Sequence, residues 1–247
     1  MTTRRHFNQL LGPGLSAAQA RPDPSESRRP LKIVCVGAHP DDPESGCGGT
    51  LARYAELGHR VTIVYLTRGE RGIPGKSNQE AAAIRSAEAG AAAKILGAKP
   101  VFGGQINGAI ELTESRVESF VKLVSAEEPD LVFTHWPIDS HLDHQVASIL
   151  AFRAHVAGRG RFRLYYFEVN SGSQTQGFHP TDYVDITSTR EKKKAALFAH
   201  QSQNGEEIYR KHHEVMENYR DREAGVAAAE AFVHLAREGR ASKLPGL

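Results

Sequence analysis

Residues 31–37 read LKIVCVG and run without a break into residues 38–44, AHPDDPE. A continuous apolar run of this length is typical of a parallel strand that is buried on both faces. The polar stretch places His39, Asp41 and Asp42 directly after that strand. In open α/β sheets, ligands bind at the carboxyl ends of the strands. This stretch therefore predicts both a fold class and a candidate site.

The rest of the chain alternates short apolar runs with helical stretches. Further strands are predicted at residues 59–67, 100–102, 130–136, 162–169 and 183–187. Helices are predicted at residues 48–57, 79–96, 113–127, 143–156, 189–201 and 206–236. The repeated order of strand and helix predicts a single-domain, Rossmann-like α/β fold, with a mainly parallel sheet and helices on both faces.

The composition excludes several classes of protein. The 247 residues carry 31 Lys and Arg against 29 Asp and Glu. So small a basic excess argues against a dedicated nucleic-acid-binding protein. Two cysteines, Cys35 and Cys47, cannot build a disulfide framework. The sequence has no apolar stretch of about 18 residues, so no transmembrane helix is expected.

Residues 1–30 differ in composition from residues 31–247, which are predicted to form the domain. Arg4 and Arg5, within TRRHF, resemble a twin-arginine export signal, and AQA at residues 18–20 resembles a cleavage site. This interpretation predicts export to the periplasm. A disordered basic leader on a cytoplasmic protein is the alternative, and the sequence supports the two about equally.

A second polar cluster follows the strand predicted at residues 130–136, where residues 135–144 read HWPIDSHLDH. In the usual doubly wound order, this strand lies beside the first one, so the two clusters face each other. Catalytic zinc commonly has three protein ligands and one open position. His39, Asp42 and His144 can supply such a set. Any one of these residues alone is more often a satisfied polar group or a helix cap, but two clusters on adjacent strand ends favour a metal site.

The neighbouring residues suggest a hydrolytic mechanism. Zinc lowers the pKa of a bound water to about 7, and Asp41 is a spare carboxylate that can accept its proton. His141 can stabilise an oxyanion or protonate a leaving amine, and Asp143 can orient His141 by accepting its other ring N–H. Other divalent ions can occupy a His/Asp site. The glycines within residues 46–49 are expected to turn the backbone beneath the metal.

The two clusters also resemble known motifs. Residues 38–44, followed by GCGGTL at residues 46–51, closely resemble the opening motif of the PIG-L (LmbE-like) N-deacetylase family. Residues 137–144 resemble the second motif of that family, in which the final His is the third metal ligand. TRGE at residues 67–70, Arg85 with Glu88, and HQSQ at residues 200–203 are similar to further family positions. The resemblance spans roughly residues 31–203.

The resemblance implies one zinc ion on His39, Asp42 and His144, with Asp41 as general base and His141 as electrophilic partner. It also implies a small substrate with an N-acetyl group, often on glucosamine, and an assembly that is a trimer or a hexamer in several relatives. The candidate substrate-binding residues are Arg68, Glu70, Arg85 and His200.

Several alternatives stay open at this point. Arg85 can instead form a surface ion pair with Glu88, and His200 can merely cap its helix. The enzyme can be a metal-dependent hydrolase of another amide or ester, although two-metal phosphoesterases need more ligands than three. A catalytically silent sugar-binding module is a further alternative. A nucleotide-binding domain is disfavoured because no G-x-G-x-x-G follows the first strand.

Overall fold

A computed structural model describes residues 29–235 of the chain. The candidate export signal and the last residue of the helix predicted at 206–236 lie outside this range. The described residues form one seven-stranded, mainly parallel sheet. Helices cover both faces of the sheet, so the predicted fold class is confirmed. Between residues 29 and 235, no helix combines the length and apolarity needed to cross a bilayer.

The elements alternate along the chain as predicted, up to the end of the fifth strand. The strands are β1 (Lys32–Gly37), β2 (Arg60–Thr67), β3 (Lys99–Gln105), β4 (Leu131–His135), β5 (Arg163–Phe167), β6 (Asp182–Asp185) and β7 (Ala229–His234). The helices are α1 (Asp42–Glu56), α2 (Asn78–Leu96), α3 (Glu114–Ala126), α4 (Leu142–Ala157), α5 (Arg190–Phe198), α6 (Gly205–Ile208) and α7 (Glu214–Ala224). A short 3₁₀ helix, Gln201–Gln203, precedes α6, and a π-helical turn, Tyr209–His213, joins α6 to α7.

The strand order is β3-β2-β1-β4-β5-β7-β6. Strands β1 to β5 pair in parallel, whereas β7 pairs antiparallel with both β5 and β6. β1 and β4 are direct neighbours, with Ile33 opposite Leu131. The prediction that the two polar clusters follow adjacent strands is therefore confirmed.

β1 lies at the centre of the fold and is buried on both faces. Val34 and Val36 belong to the core beneath α3 and α4. Ile33 and Cys35 face the opposite core, which α1, α2 and α5 cover. This two-sided burial explains why the strand is a continuous apolar run.

α1 begins earlier than predicted, so the glycine-rich segment lies inside a helix and does not turn beneath the site. Asp42 is the first residue of α1. A Cβ at Gly46 would overlap the Phe167 ring, and one at Gly49 would lie 2.8 Å from the Ile186 side chain. The glycines therefore allow α1 to pack closely against the sheet and the segment after β6.

The C-terminal helix predicted to continue to residue 236 is wrong in its second half. α7 ends at Ala224, and Gly225 follows it with a left-handed φ of 69°. The chain then returns as β7, between β5 and β6. The alanines after Gly225 favour a helix locally, but pairing with two strands satisfies the backbone of β7 on both sides and overrides that preference.

β3 is also longer than the short strand predicted at residues 100–102. It extends over Lys99–Gln105 and pairs with β2 as an edge strand, with a register shift between Tyr65 and Thr67. Its two consecutive glycines, Gly103 and Gly104, carry no apolar side chains. The pattern of alternating side chains therefore underestimates its length.

Candidate metal centre

Three side chains converge at the carboxyl ends of β1 and β4. Nδ1 of His39 lies 3.2 Å from Oδ2 of Asp42, and Nε2 of His144 lies 3.3 Å from Oδ1 of Asp42. The same two ring nitrogens are 3.3 Å apart. Three ligands of a tetrahedral ion with bonds of about 2.0–2.1 Å are separated by about 3.3 Å. The donor set and its spacing therefore fit a divalent ion such as zinc.

The local chain explains how each of these residues reaches the centre. His39 lies in the tight connection between β1 and α1, and its backbone N–H donates to Oδ2 of Asp42 at 2.7 Å. Asp42 opens α1, where the positive end of the helix favours an acidic residue. His144 lies in the first turn of α4. All three side chains are buried.

The outward nitrogen of each histidine contacts a carboxylate. Nε2 of His39 lies 3.0 Å from Oδ2 of Asp143. Nδ1 of His144 lies 3.3 Å from Oδ1 of Asp139 and 3.1 Å from the amide nitrogen of Gln174. Carboxylates in this position fix the orientation of metal-binding imidazoles and increase their basicity.

The carboxylate of Asp143 therefore supports His39 and not His141, the partner expected from the sequence. Its Oδ2 also accepts the backbone N–H of Gly108 at 2.7 Å, which ties it to the loop after β3. His141 contacts Asp143 in a different way, because Nδ1 of His141 accepts the backbone N–H of Asp143 at 3.2 Å.

The electrostatics of the cluster favour positive charge at its centre. Burial alone would lower the pKa of His39, but Asp42 and Asp143 outweigh it and raise this pKa to about 9. Burial is likewise outweighed at His144, where Asp42 and Asp139 raise the pKa to about 10. Burial would raise the pKa of Asp42, yet the surrounding histidines hold it well below its usual range. A bound cation would compensate the negative charge of the same carboxylates.

His135, the last residue of β4, was not singled out from the sequence. Its ring stacks on His144 with centroids 4.0 Å apart, and its Nε2 accepts the backbone N–H of Ala38 at 3.1 Å. Burial, together with His144, lowers its pKa to about 4, so the ring is neutral near pH 7. His135 therefore packs against the ring of His144, while Asp139 and Gln174 contact the Nδ1 atom of the same ring. The one sequence signal for His135 and Asp139 is their place in the polar cluster after β4.

Asp41 lies beside the three converging side chains without joining them. It occupies the N-cap position of α1 with a φ of 108°, in a region that residues other than glycine rarely adopt. Burial raises the pKa of its carboxyl group, although the neighbouring Arg85 acts in the opposite direction. Its side chain is 20% exposed, so the carboxylate is partly accessible to solvent.

Arg85 reaches this carboxylate from α2. Its Nη2 donates to the carbonyl oxygen of Pro40 and, at 3.0 Å, to Oδ2 of Asp41. The alternative of a surface ion pair with Glu88 is wrong, because Glu88 instead accepts hydrogen bonds from Ser202. Arg85 is also almost completely buried.

His141 caps the N-terminus of α4 and is exposed at the rim. Its ring centroid lies 4.8 Å from that of His39 and 4.8 Å from that of His144. Partial burial, followed in size by the effects of His39 and His144, lowers its pKa. A neutral ring whose Nδ1 accepts a hydrogen bond carries its proton on Nε2, which is then a donor.

The remaining candidate substrate-binding residues differ in how far they are buried. Arg68 is exposed and donates from Nε to the hydroxyl of Ser86 at 2.9 Å. Glu70 is buried and accepts the backbone N–H of Asn107 at 3.1 Å, as well as that of Arg68. It therefore joins the loops after β2 and β3.

His200 is fully buried, with Nε2 at 3.3 Å from Oε1 of Glu44. The same carboxylate accepts the hydroxyl of Tyr65 at 2.5 Å. Neither ring nitrogen of His200 hydrogen-bonds to α5, the helix that precedes it, so the capping alternative is wrong. The ring lies instead against Glu44 of α1.

The chain is similar to several known proteins. The family described as GlcNAc-PI de-N-acetylase (PIG-L) matches residues 34–155. Diacetylchitobiose deacetylase from Thermococcus kodakarensis is 30% identical over 194 residues, which cover 72% of this chain and 72% of the relative.

Two solved structures share the fold. The 4-carboxy-2-hydroxymuconate hydratase from Pseudomonas putida superposes with a TM-score of 0.74 at 25% identity, covering 84% of this chain and 97% of the hydratase. N,N'-diacetylchitobiose deacetylase from Pyrococcus horikoshii gives a TM-score of 0.72 at 25% identity, covering 83% of this chain and 84% of the deacetylase. The chain therefore belongs to the PIG-L (LmbE-like) family, and among its relatives are deacetylases, hydrolases that act on amide bonds.

Proposed function

We propose that this protein is a zinc-dependent hydrolase that removes the N-acetyl group from an amino sugar of the N-acetylglucosamine type, or from a related small amide. The observation that carries the proposal is the spacing of His39, Asp42 and His144, with the spare carboxylate of Asp41 beside them. The similarity to two diacetylchitobiose deacetylases supports the choice of an N-acetylated sugar.

His39, Asp42 and His144 would hold the ion. When bound, it supplies Lewis acidity that polarises the amide carbonyl and acidifies water. The chain itself must then provide a proton acceptor, a donor for the developing negative charge and a proton for the leaving amine.

Asp41 is the proton acceptor in this mechanism. It takes a proton from the attacking water as the new C–O bond forms, and burial raises its pKa towards the range in which a carboxylate is an effective base. The same group then returns the proton to the amine nitrogen as the C–N bond breaks. One water and one amide give one acetate and one free amine, so the carboxylate is regenerated.

His141 stabilises the oxyanion of the tetrahedral intermediate. Its Nδ1 is occupied by the backbone N–H of Asp143, so the neutral ring presents a donor at Nε2. A donor placed at the rim of a largely buried site is worth more than one in bulk water. Asp143 and Asp139 meanwhile keep His39 and His144 in the orientation that directs their inner nitrogens to the ion.

The similarity to 4-carboxy-2-hydroxymuconate hydratase gives hydration as a second candidate reaction, because that enzyme shares the fold. The choice of amide hydrolysis rests on the two deacetylases.

The test is acetate and amine release from N-acetylglucosamine, N,N'-diacetylchitobiose and related N-acetylated sugars, before and after chelation and zinc return. We expect release that stops with the chelator and recovers with zinc, at one zinc per chain. A parallel assay of hydration with 4-carboxy-2-hydroxymuconate covers the second candidate. Tight sugar binding without acetate release would contradict the proposal in favour of a binding module, and absence of bound metal would contradict the site.

A further inference from the structure

Arg85 makes both of its hydrogen bonds to a single dipeptide. The guanidinium Nη2 donates to the carbonyl oxygen of Pro40 and to Oδ2 of Asp41. Within residues 29–235, Asp41 is the one carboxylate that lies within ion-pair distance of Arg85. The side chain of Arg85 is 4% exposed, so it presents almost no surface to a bound molecule.

The dipeptide that Arg85 contacts is strained. Asp41 has φ 108° and ψ −29°, a combination that is unfavourable for a residue with a Cβ. Such a conformation persists only where surrounding contacts over-determine it. Arg85 provides two of those contacts, one to the peptide before Asp41 and one to its carboxylate.

The loop after β2 is shaped around the same arginine. A Cβ at Gly69 or at Gly72 would overlap atoms of the Arg85 side chain. Gly69 also has a left-handed φ of 71°, but Gly72 does not have a positive φ, so its backbone alone does not require glycine. The absence of a side chain at Gly72 is therefore explained by the space that the guanidinium occupies. Gln203 also contacts this loop, because its side-chain amide donates a hydrogen bond to the carbonyl oxygen of Gly72 at 3.0 Å.

We propose that Arg85 is a positioning residue that holds the Pro40–Asp41 backbone and keeps the Asp41 carboxylate in place beside His39, Asp42 and His144. Gly69 and Gly72 form the sleeve through which the Arg85 side chain reaches this dipeptide. This inference rests on the proposed role of Asp41 as the general base. It replaces a contact between Arg85 and the substrate with a contact between Arg85 and the residue that moves the proton.

The first test compares Arg85→Lys and Arg85→Ala with the wild-type protein at matched zinc content. We expect kcat to fall about 100-fold in Arg85→Ala, the size of effect that a misplacement of about 1 Å produces, with KM changed little. Added guanidinium ions are expected to restore part of kcat in Arg85→Ala. An increase in KM at unchanged kcat would identify Arg85 as a substrate contact and overturn the proposal. Loss of zinc or of the folded state that accounts for the whole effect would also overturn it.

The sleeve provides a second variant that leaves Arg85 itself intact. Gly72→Ala is expected to lower kcat in the same direction, because the new methyl group displaces the guanidinium. Gly90→Ala is the matched control, since Gly90 lies in the same helix as Arg85 and has open space around it. We expect Gly90→Ala to keep wild-type kcat. Equal kcat values in both glycine variants would contradict the sleeve.

A crystal structure of the zinc-loaded Arg85→Ala protein tests the proposal without any substrate. We expect Asp41 to leave its φ near 108° or its carboxylate to turn away from the three zinc ligands. An unchanged Asp41 would overturn the positioning role, whatever reaction the enzyme performs. Failure of the wild-type protein to release acetate would instead contradict the proposed function alone.

Discussion

Nδ1 of His39 and Nε2 of His144 face each other at 3.3 Å, although 105 positions separate the two residues in the chain. The pairing of β1 with β4 produces this proximity, because each histidine follows one of these strands. The side chain of Asp42 lies against both nitrogens. A change at any one of the three is therefore expected to affect the same ion.

Removal of a central ligand is expected to abolish metal binding. His144→Ala leaves two of the three donors, and a site with two protein ligands holds zinc far more weakly. We expect little zinc by elemental analysis after dialysis and no acetate release. His179→Ala is the matched control because His179 is exposed and distant in sequence from both polar clusters. Full zinc content in His144→Ala would contradict the assignment.

Removal of the base is expected to separate metal binding from turnover. Asp41→Ala should keep its zinc, because the three central donors remain. We expect the rate to fall by about 10²–10⁴-fold, the usual contribution of general-base catalysis. Elemental analysis and steady-state kinetics on the same sample give both readings. Near-full activity in the zinc-loaded variant would show that Asp41 is not the base.

The carboxylates behind the histidines are expected to tune metal affinity without binding the ion. Asp143→Asn and Asp139→Asn remove charge beside His39 and His144 and keep nearly the same shape. We expect each to weaken zinc binding or activity by about 10–100-fold. Competition with a chromophoric chelator measures the affinity. Asp182→Asn, on the exposed strand β6, is the control, and an equal effect there would contradict the specific role.

Metal affinity is expected to depend steeply on pH. The raised pKa values of His39 and His144, about 9 and about 10, favour extra protonation of this pair of rings at neutral pH when no metal is bound. Zinc must displace the extra protons, so its affinity should rise with pH, with release of at least about one proton per ion between about pH 6 and pH 8. Calorimetry in buffers of different ionisation enthalpy counts the protons. Release of none would contradict the protonated state of the two rings.

A buried ion network supports the helix that carries Asp42. Nζ of Lys193 lies 3.1 Å from Glu217 and 2.8 Å from Glu230, and all three side chains are nearly inaccessible. Lys193→Met would leave two buried carboxylates without this partner, which typically costs about 3–5 kcal/mol. Its neighbour Lys192 pairs with Glu56 at the surface, so Lys192→Met should cost at most about 1 kcal/mol. Urea denaturation of both variants checks the difference, and equal free energies of unfolding would contradict it.

Much of the architecture was accessible from the sequence, because burial on two faces and helical periodicity leave strong patterns. The apolar run of β1 and the adjacency of β1 and β4 are examples. The strand β7 could not be predicted from the sequence. Its alanines and the preceding helix favour continued helix locally, and only the two flanking strands impose an extended conformation.

The candidate site likewise has a part that could be predicted from the sequence and a part that could not. The polar residues after β1 and β4 could be located because strand ends meet at one edge of a sheet. The partner of Arg85 could not be predicted, since helical spacing gives Glu88 as the nearest carboxylate along α2. The actual partner, Asp41, lies 44 positions away in the sequence. Arg85 reaches it past Gly69 and Gly72, and the sequence does not show that these glycines make room for an arginine side chain.

Glu230 makes the helix that begins at Asp42 depend on a distant part of the chain. This residue of β7 accepts the backbone N–H groups of Gly49 and Thr50 at 2.9 and 2.8 Å, across 181 and 180 positions of chain. α1, which begins at Asp42, thus obtains two of its contacts from a strand far along the chain. His39, Asp42 and His144 all precede Glu230 in the sequence, so α1 lacks these two contacts until β7 has docked. We therefore expect the position of Asp42 to become fixed only when β7 joins the sheet.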